Sequence, residues 1–93
     1  MSKPPEPLLL RQSGDGKWEV ENVPGNRIKC ENKADAKILS NAPIVLQESY
    51  KISPPNEKVA VKLDRTAEKM KQYNMSLGDR FFRSRAKWAR GEK

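Results

Sequence analysis

The chain opens with short alternating runs and closes with longer helical ones. Residues 7–13 and 17–23 read as two strands joined by Gly14-Asp15-Gly16, because Asp-Gly is a strong tight-turn signal. After that turn Trp18, Val20 and Asn22 fall on one face, and Lys17, Glu19 and Glu21 on the other, as in a half-buried strand. Val23-Pro24-Gly25-Asn26 supplies a second turn, with proline setting its first corner and Gly or Asn tolerating positive φ. Arg27-Ile28-Lys29-Cys30 then reads as a third short strand, completing a small antiparallel meander. Trp18 fits a core anchor or, alternatively, a platform for a nucleobase.

From Asn32 onward the period changes. Asn32 is suited to cap a helix, and Asp35 sits in the favourable first turn. Ala34, Ile38, Ala42 and Val45 recur at helical spacing, with Leu39 and Leu46 beside them. Pro43 lacks a backbone donor and clashes with the Leu39 carbonyl, which predicts a kink or break near residues 40–43. Ser53-Pro54-Pro55-Asn56 reads as a linker within residues 51–56, and Asn56 as a second cap. Val59, Leu63, Thr66, Met70 and Tyr73 then form a narrow heptad-like stripe, able to close a core or to pair with a second copy as a homodimer. Ser76 followed by Asp79 resembles a capping box and predicts a last helix over about 77–90, stopped at Gly91. The expected fold is α+β: an N-terminal β-meander with a Pro-kinked helix over 7–50, then two helices over 57–90, as one small domain.

Composition narrows the function more than the fold. Of 93 residues, 35% are hydrophobic and 33% charged, so the core is modest and the surface carries the chemistry. Histidine is absent, which removes the commonest general base and metal ligand. The single Cys30 cannot form an internal disulfide and fits a reducing, cytoplasmic setting as a small apolar filler. No acidic cluster resembles a calcium loop, and Gly14-Asp15-Gly16 is a turn rather than a phosphate cradle. The expectation is a non-enzymatic protein with no cofactor and no metal. There is no apolar run near 18 residues, and Leu8-Leu9-Leu10 is too short for the apolar part of a signal peptide.

Net charge is +7, and all of the excess lies in one half. Residues 1–50 hold seven basic and seven acidic side chains, whereas residues 51–93 hold twelve and five. Such asymmetry points to a polyanionic partner for the second half, or to a solvated basic face. Glu57, Asp64 and Glu68 lie at helical reach of Lys58, Lys62, Arg65, Lys69 and Lys71, so that part of the charge is locally compensated.

The terminal stretch DRFFRSRAKWARGEK combines cations with three aromatic rings. Arginine forks grip phosphates, and aromatic faces stack on bases, so Arg80, Arg83, Arg85, Lys87, Arg90, Phe82 and Trp88 are the candidate partner-binding residues. The same composition suits an ordinary closing helix or an interfacial helix on anionic lipid. A ribbon-helix-helix arrangement is a further alternative, with Lys58–Leu63 as the DNA-reading strand and Arg65–Tyr73 and Ser76–Ala89 as its helices, but its first helix is about a turn too short and the same residues fit a continuous helix over 57–73 better.

Residues 32–46, NKADAKILSNAPIVL, resemble a segment of small phage and prophage proteins whose pattern is close to A-N-A-x-L-I-A-x-A-P-x-L-L. The matching positions are Ala34, Asp35, Ala36, Ile38, Leu39, Ala42, Pro43, Val45 and Leu46; Asp35 replaces the usual Asn and Ser40 the usual Ala. The resemblance implies a phage-type accessory protein acting in a bacterial host cell, and it assigns no site residue. Two functions are consistent with it: binding of nucleic acid or a host nucleoprotein complex through the basic half, or inhibition of a host defence complex, CRISPR-type systems included.

Overall fold

The computed structural model describes residues 6–23 and 25–92; the side chains of Asn22, Val23, Ser76 and Leu77 are outside that description. Its contacts divide the chain into two compact units, one up to Ile44 and one from Val45, so the boundary falls ahead of the Pro-rich linker rather than in it. The fold is α+β.

In the first unit β1 (Leu9–Gln12), β2 (Trp18–Val23) and β3 (Asn26–Cys30) form an antiparallel meander in the order β1-β2-β3. The register sets Leu10 opposite Val20 and Val20 opposite Ile28, with Trp18 opposite Cys30. These side chains share one face, and Val20 and Cys30 on it are fully buried. Helix α1 (Lys33–Ser40) packs against this sheet, most closely on β2, burying Ala36 and Leu39. The Leu8 amide donates to the Ser40 carbonyl at 2.7 Å and ties the chain ahead of β1 to the end of α1.

The first turn forms as its composition requires. Gly16 takes φ +84°, the Lys17 amide donates to the Asp15 carboxylate at 3.1 Å, and Lys29 Nζ reaches it at 2.5 Å. The Lys29 ammonium, aided by the Ser13 hydroxyl, holds the Asp15 carboxyl well below the usual carboxylate range. In the second turn Gly25 adopts φ +86°, while Pro24 lies outside the described residues. Asn22, expected on the inner face of β2, is likewise outside the described side chains.

Asn32 caps α1 by accepting the Asp35 amide at 2.8 Å. The expected break is a full interruption: α1 ends at Ser40, Asn41 caps it, and α2 (Ala42–Ser49) begins one residue later. Pro43 thereby occupies the first turn of a new helix, where its missing donor costs nothing.

The second unit contains the end of α2, then α3 (Glu57–Gln72) and α4 (Ser76–Ala89). Asn56 caps α3, accepting the Val59 amide at 3.1 Å, and its own amide donates to the Ala89 carbonyl at 2.6 Å. The α3–α4 turn is a Schellman motif: Asn74 stands at φ 64°, the Met75 amide reaches the Met70 carbonyl at 2.7 Å, and Asn74 reaches Lys71 at 3.2 Å. The same motif ends α4 at Gly91, φ +85°, with the Glu92 amide on the Lys87 carbonyl at 3.0 Å. The capping box expected at Ser76 gives way to a start at Met75 with no side-chain cap; Asp79 binds Arg83 instead.

Two alternatives that the sequence left open are narrowed here. Lys58–Leu63 is helical, so the ribbon strand of the ribbon-helix-helix alternative is absent; the Asn56 cap and a stripe of helical period both favour helix over this stretch. Val59, Leu63, Thr66 and Met70 are buried in the second unit together with Phe82, Ala86 and Ala89, so these members of the stripe close its core rather than face a second chain. Gly78 makes the close approach possible, since a Cβ there would stand 2.8 Å from the Met70 sulfur. Tyr73, the last residue of the stripe, is only partly buried.

Candidate nucleic-acid interface on the last helix

Helix α4 sorts the predicted residues by phase. Phe82, Ala86 and Ala89 point inward and are buried. Phe82 was expected at the binding surface; it is 5% exposed, and the ring at the surface is its neighbour Phe81, 47% exposed. The two rings meet edge to face, 6.1 Å between centroids at 68°. Trp88, one heptad after Phe81 and therefore on the same side of the helix, is 37% exposed. The spacing of Phe82, Ala86 and Ala89 defines the inward stripe, and Phe81, about a quarter turn from Phe82, falls outside it.

The five cations divide in the same way. Arg83 is held by Asp79 one turn earlier, 2.5 Å away, which also raises its pKa. Arg90 is held by Asp64, with Glu57 at 3.6 Å; the Asp64 hydrogen bond leads the causes that raise its pKa. Arg85 is enclosed by aromatic rings: its guanidinium carbon lies 4.0 Å from the Trp88 centroid and 4.5 Å from that of Tyr50. Its Nη2 donates to the Ser49 carbonyl and hydroxyl, both at 3.2 Å, and its Nε is buried without a partner. Arg85 therefore braces the site and is not a free phosphate grip. Arg80 and Lys87 are exposed and make no ion pair among the described residues. Among the basic and aromatic residues of α4, Arg80, Phe81, Lys87 and Trp88 are thus the ones exposed without an ion pair among the described residues.

A second set of cations follows α3. Lys58, Lys62, Arg65 and Lys69 recur at i, i+4, i+7 and i+11 and so share one stripe, and the first three line an open groove together with Ile52 and Val61. Lys62 is compensated by Glu48 at 3.4 Å, and Lys69 donates to Gln72 at 3.3 Å; Lys58 and Arg65 are exposed without an ion pair among the described residues. In the first unit Trp18 is half-buried, with Lys33 Nζ 5.1 Å from its centroid.

Among the described residues no group of His, Cys, Asp and Glu is placed to hold a metal, and no helix is long and apolar enough to cross a membrane. No protein-family model, curated protein or solved structure matches the chain.

Proposed function

We propose that this is a non-enzymatic accessory protein of phage or prophage type that binds nucleic acid, free or within a host nucleoprotein complex, through its basic C-terminal half. The observation that carries this reading is the outer face of α4, where Arg80 and Lys87 lack acidic partners and stand beside the exposed rings of Phe81 and Trp88. Cations without internal partners are available to displace the counterions of a phosphate backbone, whereas paired ones such as Arg83 and Arg90 must first give up an acid. The phage-like segment at 32–46 supports the origin and leaves the target open.

The test is a gel-shift titration of the whole protein against duplex DNA, single-stranded DNA and RNA at about 50 mM salt, repeated at about 200 mM. Binding at the lower salt that weakens steeply at the higher one is expected. Absence of any shift with all three nucleic acids at the lower salt defeats the reading.

A further inference from the structure

The four outer residues of α4 are two copies of one doublet. Arg80-Phe81 and Lys87-Trp88 each place a cation directly before an aromatic ring, seven residues apart. Seven residues make nearly two full helical turns, so both doublets face the same way, about 10 Å apart along the axis. That distance is too great for both rings to clasp one base. It suits two bases of one strand, each with a phosphate near its own cation.

Each ring is also held in place from behind. Phe81 rests edge to face on the buried Phe82. Trp88 lies on the Arg85 guanidinium, which is pinned by Ser49 and covered by Tyr50. A surface ring already ordered loses little freedom when a ligand stacks on it, which is the condition for useful affinity from so few groups. Resting on this reading of α4 as a nucleic-acid surface, we infer that the two doublets are paired subsites for single-stranded nucleic acid, each taking a phosphate on the cation and a base on the ring.

A single strand is favoured over a duplex because of the rings. A duplex keeps its base faces stacked internally and can use the two cations, but it leaves Phe81 and Trp88 with no partner. An unpaired strand offers one π-face per nucleotide, and stacking on aromatic side chains is tolerant of sequence.

The experiment measures anisotropy of a labelled oligothymidine and of a duplex of equal length with the full chain. Tighter binding of the single strand is expected. Phe81→Leu and Trp88→Leu, both at exposed positions and checked for unchanged helicity by circular dichroism, should each weaken it by about 5- to 150-fold. The dependence on salt should be unaltered. Arg80→Gln and Lys87→Gln should instead each lower the slope of log K against log salt by about 0.7. Arg85→Lys keeps the charge and loses the planar stack; its effect should disappear in the Trp88→Leu background, which a purely structural role for Arg85 would not produce. Equal or tighter duplex binding, or single-strand binding indifferent to both rings, overturns this inference while the nucleic-acid reading stands. Loss of ring exposure on anionic vesicles but not on oligonucleotide also overturns it. Binding to neither nucleic acid overturns both.

Discussion

Cys30 lies at the end of β3, opposite Trp18, with its thiol directed at the Ile28 carbonyl 3.9 Å away and almost no surface exposed. Burial, and secondarily the Asp35 carboxylate, push the thiol up to about 11. A thiol acts as a nucleophile only as thiolate, so this one is silent in the folded protein at neutral pH. A disulfide reagent at about pH 8 should label Cys30 slowly in buffer and at once in denaturant. The linkage to stability has a definite sign. Because the folded pKa is above the unfolded one, the native state holds its proton longer, and the contribution is complete below the unfolded value. It is lost as pH rises from the ordinary thiol range toward 11. Denaturant midpoints should therefore fall over that alkaline window in the native sequence and stay flatter in Cys30→Ala.

The elements were legible where their cause is local. Asn32 and Asn56 cap the helices assigned to them, Gly91 stops α4, and Pro43 separates α1 from α2, because each effect acts within one turn of chain. The α3 stripe was legible as a pattern but not as a destination: period alone does not say whether Leu63 meets α4 or another molecule. The site was half legible. Its helix and composition were evident, but the pairing of Arg90 with Asp64 spans 26 positions and the Arg85–Ser49 contact spans 36, and no local rule reports them. These distinctions predict a graded stability series. Leu63→Ala should cost about 2–5 kcal/mol, since it empties a fully buried position in the helical core. Asn56→Ala should cost about 1 kcal/mol, because only the side-chain cap on Val59 is lost while the backbone bond to Ala89 remains. Urea unfolding followed by helical ellipticity measures both, and equal losses would contradict this division between packing and capping.

At the scale of the whole chain, charge is distributed as unevenly as structure. The residues up to Ile44 carry seven basic and six acidic side chains, and those from Val45 carry twelve and six. A net charge of +7 draws any polyanion toward a molecule, but at about 0.15 M salt a charge is felt over only about 8 Å. Affinity at that ionic strength therefore depends on which cations touch the ligand, and overall charge chiefly affects the rate of encounter. Two double variants separate these contributions. Arg80→Glu with Lys87→Glu and Arg27→Glu with Lys37→Glu each reverse two exposed cations, and each takes the net charge from +7 to +3. The first pair should lower equilibrium affinity for nucleic acid by more than about tenfold at 0.15 M salt, because the two proposed phosphate contacts become repulsive. The second should leave it within about threefold there, and slow association only at low salt. Equal losses from the two pairs would mean that the protein attracts its partner as a diffuse positive body, with no binding surface on α4 at all.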